Sequence, residues 1–122
     1  MKLLKLIFIA QFLFLLGCGG VSMIKSGFRS DLYTENFVAT LENVKVNYRQ
    51  GDSPLALKML NSMQEAELLV SEKAMRRNLI GVILFSNANF EQAIFNFNLA
   101  LSHSQLDLSL TSQIYLNLRT LS

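Results

Sequence analysis

Few residues in this sequence belong to the types that carry out catalysis or bind metal ions. The only histidine is His103, and the only cysteine is Cys18. His103 has no acidic residue at helical spacing other than Asp107, and Glu65 and Glu67 are two positions apart, so they do not share a helix face. Acid–base, nucleophilic and metal chemistry each need several such groups in one place. The sequence therefore predicts that the protein is not an enzyme and has no metal or cofactor site.

The N-terminal residues MKLLKLIFIAQFLFLL combine two positive charges with an apolar run. Lys2 and Lys5 precede this run, which covers residues 6–16 and is interrupted only by Gln11. The order is typical of a secretory signal peptide, and the run is shorter than the roughly 20 apolar residues of a membrane-spanning helix. We therefore predict a signal peptide over residues 1–17.

At the end of this run, Leu15-Leu16-Gly17-Cys18 resembles the lipobox of bacterial lipoproteins, in which a leucine and a small residue precede a cysteine. The resemblance implies attachment of a diacylglyceryl group to Cys18, cleavage before it, and acylation of the new N-terminus with a fatty acid such as palmitate. Gly19 stands where an aspartate would favour retention in the inner membrane. The implied location is the outer membrane, facing the periplasm.

The alternative is an uncleaved membrane anchor that covers residues 6 to about 24, with Cys18 as a bystander. Gly17, Gly19 and Gly20 would weaken such a helix, because each glycine costs about 1 kcal/mol relative to alanine. Cys18 is also the only cysteine, so it cannot form a disulfide within the chain. A single cysteine at this position fits a lipid attachment site.

Removal of the signal peptide changes the charge balance. The whole chain has 11 Lys and Arg residues and 9 Asp and Glu residues, and without Lys2 and Lys5 nine of each remain. A neutral domain gives no reason to expect a nucleic acid partner. Lys73, Arg76 and Arg77 form one basic cluster, which could meet an acidic partner or lipid head groups. We interpret it as a solvated helix face.

The rest of the chain divides into a tether and a helical domain. Residues 19–30, GGVSMIKSGFRS, are rich in glycine and serine and show no helical period. We predict that residues 18–30 are the lipidated cysteine with a flexible tether, and that residues 31–122 form one all-α domain. Apolar residues recur there at helical spacing over residues 31–49, 54 to about 70, 71–85, 90–101 and 108–121. The third segment is apolar on nearly all faces, so it should lie in the middle of the fold.

Polar residues and glycine between these segments predict where the helices begin and end. Ser30 or Asp31 is a candidate cap for the first helix and Ser53 for the second, because their oxygens accept from free amides. Gly51 supplies the left-handed residue that is common after a last helical turn. Asn89 and Gln92 are spaced as a capping box at the start of the fourth helix.

Two parts of the domain resemble the tetratricopeptide repeat, a 34-residue helix-turn-helix unit. Ile80-Gly81-x2-Leu84 and Ala93-x3-Phe97 have the spacing of the family pattern, and Ala56-x3-Leu60 repeats the second half earlier in the chain. The resemblance implies antiparallel helix pairs, about two of them, followed by a C-terminal capping helix. It gives the repeat-defining positions as Ala56, Leu60, Gly81, Ala93, Phe97 and Ala100. An unrelated five-helix bundle is the alternative.

Members of this family bind peptides or extended segments on the inner face of the first helix of each pair. The resemblance therefore implies a groove for a protein or peptide partner, lined by aliphatic, aromatic and basic side chains. The matching positions are Val38, Leu41, Lys45, Tyr48, Arg49, Met75, Asn78, Val82, Phe85 and Ser86. The lysine and asparagine clamp that some members use for a terminal carboxylate is not reproduced.

These resemblances imply a lipid-anchored interaction module of the bacterial cell envelope, an adaptor or assembly factor similar in architecture to small pilotin-like lipoproteins. The alternative is a structural lipoprotein without a peptide client, which self-associates as a homodimer through Phe95, Leu99 and the last helix. Two repeats are fewer than the three that such arrays usually need. A capping helix, a dimer, or descent from a longer repeat protein would each account for this.

Overall fold

The computed structural model describes residues 31–121, which form five α-helices and a short 3-10 turn. The helices are α1 (Glu35–Arg49), α2 (Ser53–Asn61), α3 (Val70–Ser86), α4 (Phe90–Leu101) and α5 (Leu108–Leu121), and the 3-10 turn covers Glu65–Glu67. The predicted signal peptide, Cys18, the tether and the candidate cap Ser30 lie outside the described residues. Within residues 31–121 the fold is all-α, as the periodicity predicted.

Helix α1 begins later than the sequence indicated. Its cap is Thr34, whose Oγ1 accepts from the backbone N–H of Phe37 at 3.2 Å, so the prediction of Asp31 was wrong. Leu32 and Tyr33 precede the cap and are both buried, and the Tyr33 ring stacks on that of Phe37 with 6.0 Å between centroids. These residues leave the helical path because they fill a space in the core.

Helix α2 ends well before the predicted boundary near residue 70. It stops at Asn61, and the chain then makes the 3-10 turn before α3 begins. The Leu60 carbonyl, which a longer helix would pair with an amide four residues on, accepts from Arg76 Nε of α3 at 2.7 Å. A side chain of α3 thus donates a hydrogen bond to a backbone carbonyl in the last turn of α2. The apolar pattern after residue 61 gives no sign of this contact.

The two tight turns between paired helices differ in detail from the predictions. Gly51 has a φ of +90°, as predicted, but Asp52 rather than Ser53 caps α2, with Oδ1 accepting from the Leu55 amide at 3.1 Å. Between α3 and α4, Ala88 takes the left-handed conformation with a φ of +63°. Asn89 precedes α4 but its side chain makes no capping hydrogen bond, so the predicted capping box is wrong.

Helix α3 lies in the middle of the array, as predicted. It contacts α2, α4 and α5, while α1 packs on α2 and α4 packs on α5. Its side chains Leu79, Ile80, Val82 and Ile83 are all buried, on several sides of the helix. The described chain is therefore two helix pairs, α1 with α2 and α3 with α4, followed by a single helix.

Helices α1, α3 and α5 begin at the same end of the array. The backbone N–H and Oγ1 of Thr34 both donate to Glu72 Oε2 in the first turn of α3, each at 2.8 Å. Tyr33 Oη donates to Asp107 Oδ2, immediately before α5, at 2.6 Å. We call this the proximal end. The distal end is the opposite one, where α1 and α3 end and α2 and α4 begin.

Candidate functional site

The six repeat-defining positions are all buried. The closest contact is between Gly81 of α3 and the Phe97 ring of α4, since a Cβ on Gly81 would lie 2.6 Å from Phe97 Cε1. The glycine leaves room for the ring, so the two helices of this pair pack closely. The ring lies on Gly81 of its own pair. These residues hold the array together and present nothing to a partner.

Half of the predicted groove is filled by the protein itself. Leu41, Lys45, Met75, Asn78 and Val82 are buried. Asn78 is held from α5, because its Oδ1 accepts from Asn117 Nδ2 at 2.9 Å. A partner cannot reach these five side chains in this structure, which corrects the prediction that they line an open groove.

Lys45 shows how burial changes the character of one predicted groove residue. Only 7% of its surface is exposed, and its Nζ lies 3.7 Å from Glu42 Oε1. Burial lowers the pKa of Lys45, and the negative charge of Glu42 acts in the opposite direction. The ammonium group therefore pairs within α1 and is not presented to a peptide.

The remaining groove positions stay accessible, mostly at the distal end. Tyr48 and Phe85 are half-buried, and Arg49 and Ser86 are exposed, in the last turns of α1 and α3. Val38, also half-buried, lies in the first part of α1. The accessible part of the predicted groove is therefore concentrated where α1 and α3 end.

Phe90 adds an aromatic side chain to the distal end that the groove prediction did not include. It contacts Phe85 edge to face, with 5.6 Å between ring centroids, and is 50% exposed. The buried face of α4 is formed by Ala93, Asn96, Phe97 and Ala100. Phe90, the first residue of α4, and Ile94 lie outside that face.

Two of the three residues in the basic cluster are not solvated, contrary to the prediction. Arg76 is buried, and besides its hydrogen bond to Leu60 it lies 3.7 Å from Glu65 Oε2. Arg77 donates to Glu65 Oε2 at 3.1 Å and to Asn96 Oδ1 at 3.0 Å. These contacts join the 3-10 turn, α3 and α4, so the cluster supports the fold.

The same cluster changes the ionisation of Glu65. Burial by itself would raise the pKa of Glu65, but the hydrogen bond and charge of Arg77, with the charge of Arg76, outweigh it and hold the pKa below its ordinary value. Glu65 is thus kept as a carboxylate between two guanidinium groups. That arrangement stabilises an ion pair and leaves no free acid or base for catalysis.

The junction of Tyr33, Thr34, Glu72 and Asp107 at the proximal end was not foreseen from the sequence. Glu72 is buried, and its carboxylate accepts from the Thr34 amide and hydroxyl and from the Leu69 amide. Burial and the neighbouring carboxylate of Asp107 raise the pKa of Tyr33, so the phenol stays protonated and can donate. The only local signal was a glutamate in the first turn of α3 that can accept from the preceding backbone.

Within residues 31–121 no group of three or more His, Cys, Asp or Glu side chains is placed to hold a metal ion. None of the helices in this part of the chain has both the length and the apolar character needed to cross a bilayer. No protein-family model, curated protein or solved structure matches the chain.

Proposed function

We propose that this chain is a lipid-anchored interaction module of the bacterial cell envelope, an adaptor or assembly factor that binds a protein partner at its distal end. The anchor rests on the resemblance of Leu15-Leu16-Gly17-Cys18 to a lipobox. The interaction role rests on an array of helix pairs that carries accessible aromatic and basic side chains. The outer membrane is the proposed location, because Gly19 follows the cysteine.

The observation that carries the interaction role is the Phe85–Phe90 pair. Large aromatic side chains bury much area at a small cost in conformational entropy, which is why they are enriched at the centres of interfaces. Here Phe90 stays 50% exposed although Phe85 packs against it. Tyr48 and Arg49 lie at the same end of the array. A suitable partner is a peptide segment with an apolar side chain for the aromatic pair and a carboxylate for Arg49.

The test is site-specific photocrosslinking in native cells. A photoreactive amino acid replaces Phe90, Tyr48 or Tyr115 in the full chain, and captured proteins are identified by mass spectrometry. Tyr115 is the matched control, because it is an exposed aromatic residue of α5. The proposal expects the same captured protein from positions 48 and 90 and not from position 115.

A substitution gives the quantitative form of this test. Phe90→Ser should reduce capture from position 48 at least about tenfold, because loss of an aromatic interface anchor typically costs about 2 kcal/mol or more. Tyr115→Ser should leave capture unchanged. Phe90→Ser also removes the contact with Phe85, so thermal denaturation of both variants checks that each is folded at the temperature of the assay. Undiminished capture by Phe90→Ser would rule out the distal end as the binding surface.

Self-association is the second candidate, and the exposure of Phe95 favours it. Phe95 is 57% exposed on α4, and Tyr115 and Leu116 are exposed on α5. Sedimentation of the full chain in detergent separates the two candidates. A tight dimer that Phe95→Ser converts to a monomer would support a structural lipoprotein, whereas a monomer that still captures a partner would support the adaptor.

A further inference from the structure

Four apolar side chains lie exposed just before or at the start of α3 and α5. Leu69 and Val70 are 43% and 44% exposed, and Leu106 and Leu108 are 60% and 77% exposed. Their residue types are those normally found in a core. Large apolar side chains that remain exposed in neighbouring positions mark surfaces that contact something else.

Hydrogen bonds bring these two pairs to the same end of the molecule. Leu69 donates its amide to Glu72 Oε1 at 2.8 Å, and the same carboxylate holds Thr34. Leu106 and Leu108 flank Asp107, which accepts from Tyr33 at 2.6 Å. The two apolar pairs therefore lie on either side of residues 33–34, at the proximal end.

The described chain also begins at this end. Asp31 is its first residue, and the preceding sequence contains the apolar run over residues 6–16 and Cys18. Twelve residues separate Cys18 from Asp31, and this segment reaches at most about 45 Å between the two Cα atoms when fully extended. A lipid on Cys18 would hold the proximal end within that distance of the bilayer.

We infer that the proximal end is a bilayer-contacting face, formed by Leu69, Val70, Leu106 and Leu108 around the point where the tether enters. The inference rests on the proposed lipid anchor. A tethered domain meets the membrane at a high effective concentration, so a small apolar contact is enough to select one orientation. In that orientation the distal end, with Phe85 and Phe90, points away from the membrane.

The charges at this end indicate what kind of membrane surface it fits. The carboxylates of Glu72 and Asp107 accept hydrogen bonds from Thr34 and Tyr33, so they are directed into the protein. Asp31 and Glu35 add negative charge nearby, and Lys73 is the basic residue of the first turn of α3. Among the described residues at this end there is no excess of positive charge to attract anionic head groups. The contact is therefore apolar and fits a zwitterionic lipid surface.

A second copy of the chain is a poorer occupant of this face. Stable dimers use roughly 20–30 residues on each side. The proximal face offers four apolar side chains in two pairs, separated by the polar segment at residues 33–34. Insertion into lipid does not require a continuous complementary surface, so two separated pairs can each contribute.

Tryptophan fluorescence in vesicles tests this orientation. The chain has no tryptophan, so Leu108→Trp introduces a single reporter at the proximal face, and Leu55→Trp introduces one near the start of α2 at the distal end. Leu55 is 39% exposed and serves as the matched control. The full-length chain, processed in a bacterial host, is reconstituted in phosphatidylcholine vesicles with brominated acyl chains, which quench only fluorophores that enter the lipid.

We expect severalfold stronger quenching of Trp at position 108 than at position 55, and the same result for Leu69→Trp. Equal quenching at the two ends would overturn the inference. A blue-shifted emission at position 108 without quenching would also overturn it, because it would indicate contact with protein, such as a second copy.

Mass spectrometry of the same samples separates failure of this inference from failure of the proposed function. An unmodified Cys18 would contradict the lipid anchor itself. A lipidated Cys18 combined with equal quenching at positions 108 and 55 would support the lipid anchor. It would contradict only the inference that the proximal face contacts the bilayer. Circular dichroism melting checks that each tryptophan variant is folded, and Leu69→Trp provides a second probe if Leu108→Trp is not.

Discussion

At Gly81, the absence of a side chain lets α3 and α4 pack at close range. The Phe97 ring lies over the glycine and is fully buried, so it has no solvent-filled space into which it could turn. The contact joins residues 16 positions apart. The repeat resemblance implied both as repeat-defining positions, but it did not indicate that the two residues face each other.

Gly81→Ala should destabilise the fold. The added methyl group would lie 2.6 to 2.9 Å from three atoms of the Phe97 ring. Overpacking of this kind costs about 1–3 kcal/mol, which exceeds the gain of about 1 kcal/mol from better helix propensity. Urea denaturation followed by circular dichroism measures the free energy of unfolding.

A double-mutant cycle shows whether the ring is the cause. In a Phe97→Leu background the aromatic atoms that the new methyl group would meet are absent, so Gly81→Ala should cost less there than in the wild type. Phe97→Ala alone should cost about 3–5 kcal/mol, as expected for a buried phenylalanine. A neutral or stabilising effect of Gly81→Ala in the wild-type background would contradict the packing described.

The capping residues were harder to predict than the packing residues. Thr34 caps α1 because its amide and hydroxyl are also held by Glu72, which lies 38 positions further along the chain. Ser30 and Asp31 are equally good caps by residue type. Only the contact with Glu72 distinguishes Thr34 from them, and local sequence does not show that contact. Asp52 and Ser53 are likewise adjacent residues with the same capping ability.

At the scale of the elements, the order and type of all five described helices follow from apolar periodicity. Besides the start of α1, the boundary that failed is the end of α2, where Arg76 of α3 donates to the carbonyl of Leu60. The pattern of apolar side chains along one helix gives no information about a side chain from another helix that bonds to its last carbonyls. The Arg77 contacts with Glu65 and Asn96 were missed for the same reason, since they join three separate elements.

The turn between α3 and α4 provides a prediction at this scale. Ala88 has a φ of +63°, where an alanine costs roughly 1–2 kcal/mol because its Cβ crowds the following carbonyl. Ala88→Gly should raise the free energy of unfolding by about 0.5–1 kcal/mol, after the greater freedom of glycine in the unfolded chain is taken into account. Thermal and urea denaturation measure the gain.

Ala39→Gly provides the control for Ala88→Gly. Ala39 is exposed within α1, so the same chemical change there should destabilise by about 1 kcal/mol. Opposite signs for the two variants would support the strained turn. A loss of stability in both would mean that residue 88 is not held in the left-handed conformation.

At the scale of the whole molecule, contacts between residues far apart in the sequence shape the surface of the array. Tyr33 donates to Asp107 across 74 positions of sequence, and Asn117 of α5 donates to Asn78 of α3. The repeat pattern describes neighbouring helices only, so it could not indicate these contacts. Whether a partner uses the accessible part of the predicted groove stays a prediction.

The Tyr33–Asp107 hydrogen bond predicts how stability changes at alkaline pH. Burial and Asp107 raise the pKa of Tyr33 in the folded protein above the ordinary value of 10.0, so the unfolded chain loses this proton first. The stabilisation from the neutral phenol is complete below pH 10.0 and is lost as the pH rises above it. The free energy of unfolding, measured by urea denaturation between neutral and alkaline pH, should fall accordingly.

Tyr33→Phe removes both the hydrogen bond and this titration. It should cost about 1.5–3 kcal/mol at neutral pH, as expected for a hydrogen bond to a charged group, and the loss of stability at alkaline pH should be smaller than in the wild type. Tyr115→Phe on the exposed face of α5 should change neither quantity. An equal alkaline loss in the wild type and in Tyr33→Phe would argue against the buried phenol as its source.

The same hydrogen bond also bears on how the protein unfolds. In an open helical repeat each unit contacts only its neighbours, so the ends can fray while the middle stays folded. Here the residues that lead into the first helix are bonded to the residue that precedes the last one, and detaching either end breaks the contact for both. The hydrogen bond therefore adds about 1.5–3 kcal/mol against fraying at either end. Hydrogen exchange in α1 and α5 should accordingly be faster in Tyr33→Phe than in the wild type.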